Sequence, residues 1–385
     1  MNCWEFCDVI VCPCCSSRGS RSPGDFTWEG HSIPLLVCNT CGVARLGRRL
    51  ADDSLRSYYE NYSVYYDHGE GSRKHRQIQG YRKFLEPFQR DQSAAPLTVL
   101  DVGCGFGEFL STFSGWRKLG VELNSERAAY ARSQYGIEVF EVDFLVLPLA
   151  AKSISLASAI AVLEHMTEPC LFLQKLSDVI ADDGCIFLDV PDINHRHYGL
   201  TGQFSIDHVL YFTRETLRLF LESMGFTIKN AITYGVDLKT TGVLLNKTYK
   251  TGIIQQTIED RQREGHALAE AVFQTLVEQL ALITRTHEAI SAKLHKFEIF
   301  SSLDAVAIYG AGDHTKLLMH HFPPLRNVRV FFDADTKKWN RCFLGGMVYP
   351  PQELARYKPK FLIFSSELHC RDMFQRASQY LDKTT

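Results

Sequence analysis

From Leu97 onward, short apolar runs alternate with amphipathic segments of helical length. The runs are LTVLDVG (97–103), WRKLGVEL (116–123), IEVFEVD (137–143), SLASAIAV (155–162) and GCIFLDVP (184–191). Near-continuous apolar strands separated by helical stretches are the pattern of βαβ units on a parallel sheet buried on both faces. FTIKNAIT (226–233) and GVLLNKTY (242–249) read as two further strands separated by a polar turn, an antiparallel edge. A second, shorter α/β pattern follows in DAVAIYGAG (304–312), NVRVFFDAD (327–335) and PKFLIFSS (359–366).

Between the two α/β patterns, residues 253–300 carry one long helical periodicity. Leu276, Leu280, Ile283, His287, Ile290, Leu294 and Phe297 step by four and three, a narrow seam of coiled-coil type with a histidine in it. Upstream of the first α/β pattern, residues 52–90 are charged and tyrosine-rich, and are expected to be helical with a loop at Gly69 to Ser72. Tyr62, Tyr65 and Tyr66 are candidates for a lid over a site. The resulting division is 1–50, 51–95, 96–250, 251–300 and 301–385. A chain of 385 residues fits two or three cores.

Charge adds little drive toward polyanions. Forty-two basic and 44 acidic side chains leave a formal charge of −2, which removes the main electrostatic pull on nucleic acid or anionic membranes. The longest uncharged apolar run, Ile154 to Leu163, is half of the roughly 20 residues that span a bilayer. No secretory signal is read at the N-terminus, so a cytosolic location is expected.

The cysteines change the picture. Seven of twelve lie within the first 41 residues, and a chain kept reduced uses such thiols for metal rather than disulfides. Cys12-x-x-Cys15 and Cys38-x-x-Cys41 are the two knuckles of a tetrathiolate zinc site. Two closed pairs leave no open coordination position, so the expected role is structural. Cys14, inside the first knuckle, is a competing ligand.

The strongest chemical signal is Asp101 followed by Gly103, Gly105 and Gly107. The glycines allow a tight turn and a close approach of backbone to ligand. The G-x-G-x-G spacing departs from the pyrophosphate fingerprint, and Asp101 repels pyrophosphate but attracts a sulfonium or ammonium. Glu122, ending the next run, can accept both hydroxyls of a ribose, and Asp143, ending the third, can meet an adenine edge. Carboxylates at consecutive strand ends around such a loop point to S-adenosylmethionine.

On LDVGCGFG, GVELN, EVD, VLEHMTEP, DDGCIFLDVPD and FTRETLRLFLESMGF, residues 97–230 resemble class I S-adenosylmethionine-dependent methyltransferases. More narrowly, the order of parts resembles a three-domain subfamily that includes sugar C-methyltransferases acting on nucleotide-linked keto-deoxysugars. The resemblance implies an α/β fold: a Rossmann-like methyltransferase sheet with an N-terminal zinc ribbon and a smaller C-terminal Rossmann-like domain. It also implies S-adenosylmethionine and structural Zn2+ as cofactors, a nucleotide sugar as small-molecule partner, and a monomer or dimer.

Methyl transfer needs an aligned nucleophile and often a base. Three stretches stand at expected strand ends: Glu164-His165, His195-Arg196-His197, and Asp207-His208. A carboxylate beside an imidazole can orient the ring, which makes His208 a candidate base with Asp207 as its orienter. In the sugar C-methyltransferases a Glu-His pair matches Asp207-His208, and a histidine matches His165. The tyrosine before that pair is replaced here by Ser205, which leaves O-methylation of a related sugar, glycan or secondary metabolite open.

In the last segment, Gly310-Ala311-Gly312-Asp313-His314-Thr315 keeps two glycines of a dinucleotide fingerprint, and Asp333 follows the next strand. This motif carries the rival reading of an NAD-dependent oxidoreductase. A zinc-ribbon nucleic-acid binder is the other rival, against which the near-neutral charge counts.

Overall fold

A computed structural model describes residues 4–60, 73–90, 97–194, 204–234, 240–247, 258–366 and 370–381. Tyr62, Tyr65, Tyr66 and the loop from Gly69 to Ser72 lie outside these residues, as do His195, Arg196 and His197. By its contacts the chain divides into two compact units. One comprises Met1–His197 and Phe204–Glu278, the other Tyr198–Gln203 and Gln279–Thr385.

The first unit opens with short strands β1 (Phe6–Asp8), β2 (Ser20–Trp28), β3 (His31–Cys38), β4 (Ala44–Leu46) and β5 (Arg48–Leu50). β1 pairs with β5, and β2, β3 and β4 form an antiparallel run. Two helices follow, α1 (Asp52–Glu60) and α2 (Arg73–Arg90).

The chain then alternates: β6 (Thr98–Val102), α3 (Glu108–Ser111), β7 (Arg117–Val121), α4 (Ser125–Tyr135), β8 (Glu138–Phe140), β9 (Ile154–Ile160), α5 (Pro169–Val179) and β10 (Ile180–Pro191). After β11 (Leu210–Tyr211) and α6 (Arg214–Ser223) come β12 (Phe226–Tyr234) and β13 (Thr240–Lys247). Among the described residues these give a seven-stranded sheet of order β12-β13-β10-β9-β6-β7-β8. β6 to β10 run parallel, and β13 is antiparallel to both neighbours, so the apolar runs and the antiparallel edge lie where the alternation predicts.

Burial on both faces explains the unbroken apolar runs. Val99, Leu100, Leu156, Ala157, Cys185 and Phe187 are all fully buried. Phe187 sits at the middle of this core, its ring 5.1 Å from Tyr81 and 5.9 Å from Phe84. Phe187→Ala is expected to cost about 3–5 kcal/mol of stability, because the cavity left by an aromatic ring in a packed core relaxes only in part. Urea unfolding followed by fluorescence would measure it.

Between β6 and β7 the helix α3 is a single turn. The hydroxyls of Ser111 and Thr112 donate to the carbonyls of Glu108 and Phe109 at 2.7 and 2.8 Å. Such back-bonding offers the carbonyls an alternative to continued helix, and the chain turns at Gly115.

β11 is the element that sequence reading missed. It joins β4 in antiparallel register, Leu210↔Arg45 and Tyr211↔Ala44, and so extends the N-terminal sheet to the order β11-β4-β3-β2. Phe204 stacks on Phe26 with centroids 5.7 Å apart. The cysteine-rich segment is thereby built into the same unit as the large sheet.

The long helix α7 (Ile258–Lys296) begins in the first unit and ends in the second. Near its start it runs close to the second cysteine knuckle, where a Cβ at Gly265 would stand 2.0 Å from the carbonyl oxygen of Thr40. Of its seam, Leu276 and Leu294 are buried while Phe297 is exposed. The His287 ring lies 4.4 Å from that of His321 in the same unit, tilted by 42°, which accounts for a histidine in the seam. Residues Gln262–Lys296 are long and apolar enough to cross a membrane by length and composition alone, which corrects the expectation that no stretch is. The apolar side chains there are interleaved with Gln, Thr and Glu, so no continuous run reveals them.

The second unit contains β14 (Val306–Tyr309), α8 (Asp313–His321), β15 (Val330–Phe332), β16 (Cys342–Phe343), β17 (Gly346–Tyr349), α9 (Leu354–Tyr357), β18 (Phe361–Phe364) and α10 (Cys370–Ala377). Its five strands are ordered β16-β17-β15-β14-β18 and are parallel except for β16.

Candidate functional site

Cys12, Cys15, Cys38 and Cys41 converge at the N-terminal end of the first unit. Their sulfurs lie within 4.8 Å of one another, with Cys12 Sγ 3.7 Å from Cys41 Sγ and Cys15 Sγ 3.5 Å from Cys38 Sγ. Four thiolates at ~2.3 Å from a tetrahedral zinc would stand about 3.8 Å apart, so the cradle matches that ion. Hydrogen bonds from the neighbouring thiols, Cys14 first, hold Cys12 well below the usual thiol range, whereas the bond to Cys12 pushes Cys41 up. Without a cation the thiols compete for one negative charge; a divalent ion lets all four ionise. Cys14 is buried and lies outside the four-sulfur group. Cys170, at the start of α5, donates to the carbonyls of Pro13 and Cys14 and ties the first knuckle to the large sheet's helix layer.

A second set of groups surrounds the C-terminal ends of β6, β7 and β9. Asp101 is 3% exposed, and its Oδ1 accepts from Ser158 Oγ on β9 at 2.6 Å. After Asp101 the backbone bends sharply, with the amides of Gly103 and Cys104 both bonded to the Val121 carbonyl at 2.8 and 3.0 Å. Gly103 has φ +72°, and a Cβ there would stand 2.6 Å from Val162 Cγ2. Valine is stiff at χ1, so Gly103→Ala would shift the loop. We expect it to weaken S-adenosylhomocysteine binding by about tenfold or more, equivalent to ~1–3 kcal/mol of backbone strain, as measured by calorimetry.

Glu122 carries the loop's other support. Its Oε2 accepts from the Gly105 amide at 2.9 Å and its Oε1 from the Asn124 amide at 2.8 Å, while Asn124 caps α4 through Arg127 N. At Gly105, φ +54°, a Cβ would meet nothing within 4 Å. Gly107, at φ +80°, packs against Ile137 and Ala131. Asp143 lies beyond β8 on the surface, its Oδ1 accepting from Leu145 N at 2.8 Å. Loop, Asp101, Glu122 and Asp143 thus stand at successive strand ends, the crevice where open α/β sheets take ligands.

A third cluster begins where β9 ends. Ala161 adopts φ +55°, an unusual conformation for a residue with a side chain, and turns the chain into a 3₁₀ turn, Leu163–His165. Val162 packs against the Gly103 bend, and Glu164 and His165 follow. His165 Nδ1 lies 2.8 Å from the Asp207 carbonyl oxygen and 3.0 Å from Tyr59 Oη. The His208 ring packs edge-on against His165 at 4.8 Å and lies 6.1 Å from Tyr211.

Among the described residues the Asp207 carboxylate makes no hydrogen bond to the His208 ring and acts on it only through its charge. It accepts a hydrogen bond from Ser205 Oγ and lies 3.8 Å from His165 Nδ1, so it serves His165 instead. Tyr59 on α1, which sequence reasoning did not single out, reaches the cluster; its place among clustered tyrosines was the available signal.

The electrostatics differ from group to group. Burial pushes the Glu164 carboxyl up to about 7, opposed by His165. For His208, burial and then the neighbouring His165 push the imidazole down to about 4, against the pull of Asp207. Burial works to raise Asp207, but His165, His208 and the Ser205 hydroxyl outweigh it and hold the carboxyl below the ordinary aspartate value. A neutral His208 can accept a proton.

In the second unit the Gly310 turn repeats the Glu122 arrangement. Asp333 accepts from Ala311 N at 2.8 Å and from Asp335 N at 2.9 Å, and Lys338 Nζ lies 3.0 Å away. Thr315 and His314 both contact Ser365 Oγ at 2.9 Å. The Asp333 carboxylate is thus engaged by backbone amides and a lysine.

A family model described as a methyltransferase domain matches residues 72–230. No curated protein sequence matches the chain. Among solved structures, it is similar to the 1,6-didemethyltoxoflavin-N1-methyltransferase of Burkholderia thailandensis, at 18% identity and a TM-score of 0.41, over 51% of this chain and 86% of that one. It is also similar to magnesium protoporphyrin IX methyltransferase of Synechocystis PCC 6803, at 15% identity and a TM-score of 0.41, over 51% and 100%. A third is a SAM-dependent methyltransferase of Aquifex aeolicus, at 20% identity and a TM-score of 0.34, over 44% and 97%. The segment matched by the family model carries the glycine bend, its carboxylates and the Glu164–His165 turn. Residues 72–230 thus match a methyltransferase domain.

Proposed function

We propose that the protein transfers the methyl group of S-adenosylmethionine to a sugar, one of the keto-deoxy kind carried on a nucleotide, with His208 as the base. The observation that carries this reading is the continuity of the two clusters. Val162 packs on the donor loop at Gly103, and the Glu164–His165–His208 corner begins two residues further on. An acceptor seated at that corner would lose a proton to His208, neutral at ordinary pH, as its nucleophilic atom attacks the methyl carbon. The sulfonium leaves as the neutral thioether of S-adenosylhomocysteine. Asp207 steadies His165 beside it. In the donor site Asp101 offsets the sulfonium charge, Glu122 takes the ribose hydroxyls, and Asp143 the adenine edge.

The sugar class is supported by the order of parts along the chain, which resembles the nucleotide-sugar C-methyltransferases. A second reading, O-methylation, is favoured by one observation: Ser205 stands where those enzymes have a tyrosine, and its hydroxyl is occupied by Asp207. An oxygen nucleophile needs no phenol to steady an enolate. The four cysteines hold a structural zinc, and a reduced cytosolic location suits their use. Incubation with labelled methyl donor and a panel of nucleotide-linked keto-deoxysugars tests the acceptor class. Label on a sugar supports it; label only on another scaffold overturns it.

A further inference from the structure

We propose that Glu164, His165 and His208 form a binding site for a divalent transition cation of the zinc, cobalt and iron group, separate from the four-cysteine cradle. One donor atom from each of the three residues lies within 4.8 Å of the others. Ligand atoms sharing one such ion at ~2.0–2.2 Å stand about 3–4 Å apart, and Glu164 Oε1 is 3.9 Å from His165 Nε2. Two imidazoles with one carboxylate are a donor set that these metals share, and it leaves coordination positions open.

The second observation is the state of Glu164. The residue is 2% exposed, and both of its carboxylate oxygens are buried without a hydrogen-bond partner. Desolvating a carboxylate without a partner carries a large penalty, and a bound cation offsets it.

His165 is also set in the right tautomer. A carbonyl oxygen can only accept, so the 2.8 Å contact with Asp207 O places the proton on Nδ1. Nε2 is left with its lone pair on the side of Glu164. A ligand histidine whose other nitrogen donates to a carbonyl is the usual supporting arrangement around a metal. Asp207 and Tyr59 supply that support here. His208 brings the third donor from a separate segment, anchored by β11.

The inference rests on the reading that this corner receives the acceptor, and it adds regulation to it. A cation on His208 engages the lone pair that proton transfer needs, so the loaded form has no free base there and is the resting form of the transferase.

The test is a cobalt titration of full-length protein whose cysteine site has first been filled with zinc, followed by absorption spectroscopy. We expect one Co2+ per chain, with a nitrogen–oxygen ligand spectrum and no thiolate-to-metal band. Affinity should fall by at least about tenfold in Glu164→Gln, the scale on which even supporting groups act. Calorimetry with S-adenosylhomocysteine confirms that each variant is folded, and His208→Asn replaces Glu164→Gln if the latter fails that check. No cobalt bound at millimolar concentration, a thiolate spectrum alone, or undiminished affinity in the folded variant overturns the proposal. Intact binding of S-adenosylhomocysteine by the unsubstituted protein leaves the transferase reading standing in such a result, whereas its absence there overturns that reading.

Discussion

Stripping the zinc proposed for Cys12, Cys15, Cys38 and Cys41 is expected to unfold residues 4–50 and to abolish methyl transfer, while binding of S-adenosylhomocysteine survives. The N-terminal strands are short: β1, β4 and β5 have three residues each. Such a segment buries too little to fold alone, and structural zinc contributes ~10–16 kcal/mol of apparent binding free energy in comparable small modules. Cys38→Ser should reproduce the effect of a strong chelator, because three thiolates and a hydroxyl hold the ion far more weakly. Limited proteolysis would report cleavage in the first 50 residues, and metal analysis the loss of about one equivalent. A ribbon equally resistant to protease with and without metal would contradict the prediction.

The loss of turnover follows from a strand pairing rather than from distance. β4 is held between β3 and β11, and the Leu46 amide donates to the Val209 carbonyl at 3.1 Å. Val209 immediately follows His208. Unfolding the ribbon therefore releases the backbone that aims this histidine, whereas Asp101, Glu122 and the glycine bend rest on β6, β7 and β9 and keep their supports.

The parts that were legible in the sequence are those written in local pattern. Unbroken apolar runs announced the buried parallel strands, and paired C-x-x-C spacings announced the sulfur cradle, because both depend on residues near one another in the chain. Asp101, Gly103, Gly105, Gly107 and Glu122 form a local pattern of the same kind, a glycine bend between two apolar runs. What escaped was long-range or directional. β11 has two residues and no periodicity, and only its pairing with β4, some 165 residues earlier by number, makes it a strand. Tyr59 reaches His165 across 106 residues. That Asp207 faces His165 and Ser205 rather than His208 depends on side-chain direction, which adjacency in sequence does not fix. The apolar content of α7 was hidden by interleaved polar residues.

Replacing His208 by alanine is expected to lower methyl transfer by about two to four orders of magnitude, the usual worth of a positioned general base. Donor affinity should be unchanged, since the hydrogen bonds that hold Asp101, Gly105 and Glu122 run to Ser158, Asn124 and one another. The ring is only partly buried and packs edge-on against His165 at 4.8 Å, so its removal leaves room for water rather than collapsing the core. Single-turnover measurements with saturating labelled donor separate this from a binding defect: the chemical step should slow while the amount of bound donor stays constant. Asp207→Asn should be milder on the same step. Its carboxylate lies 3.8 Å from His165 Nδ1 and bonds Ser205, so it acts on the base by charge and through a neighbouring ring rather than by a hydrogen bond. Were Asp207→Asn as damaging as His208→Ala, with both variants binding donor normally, the proton acceptor would have to be sought at His165.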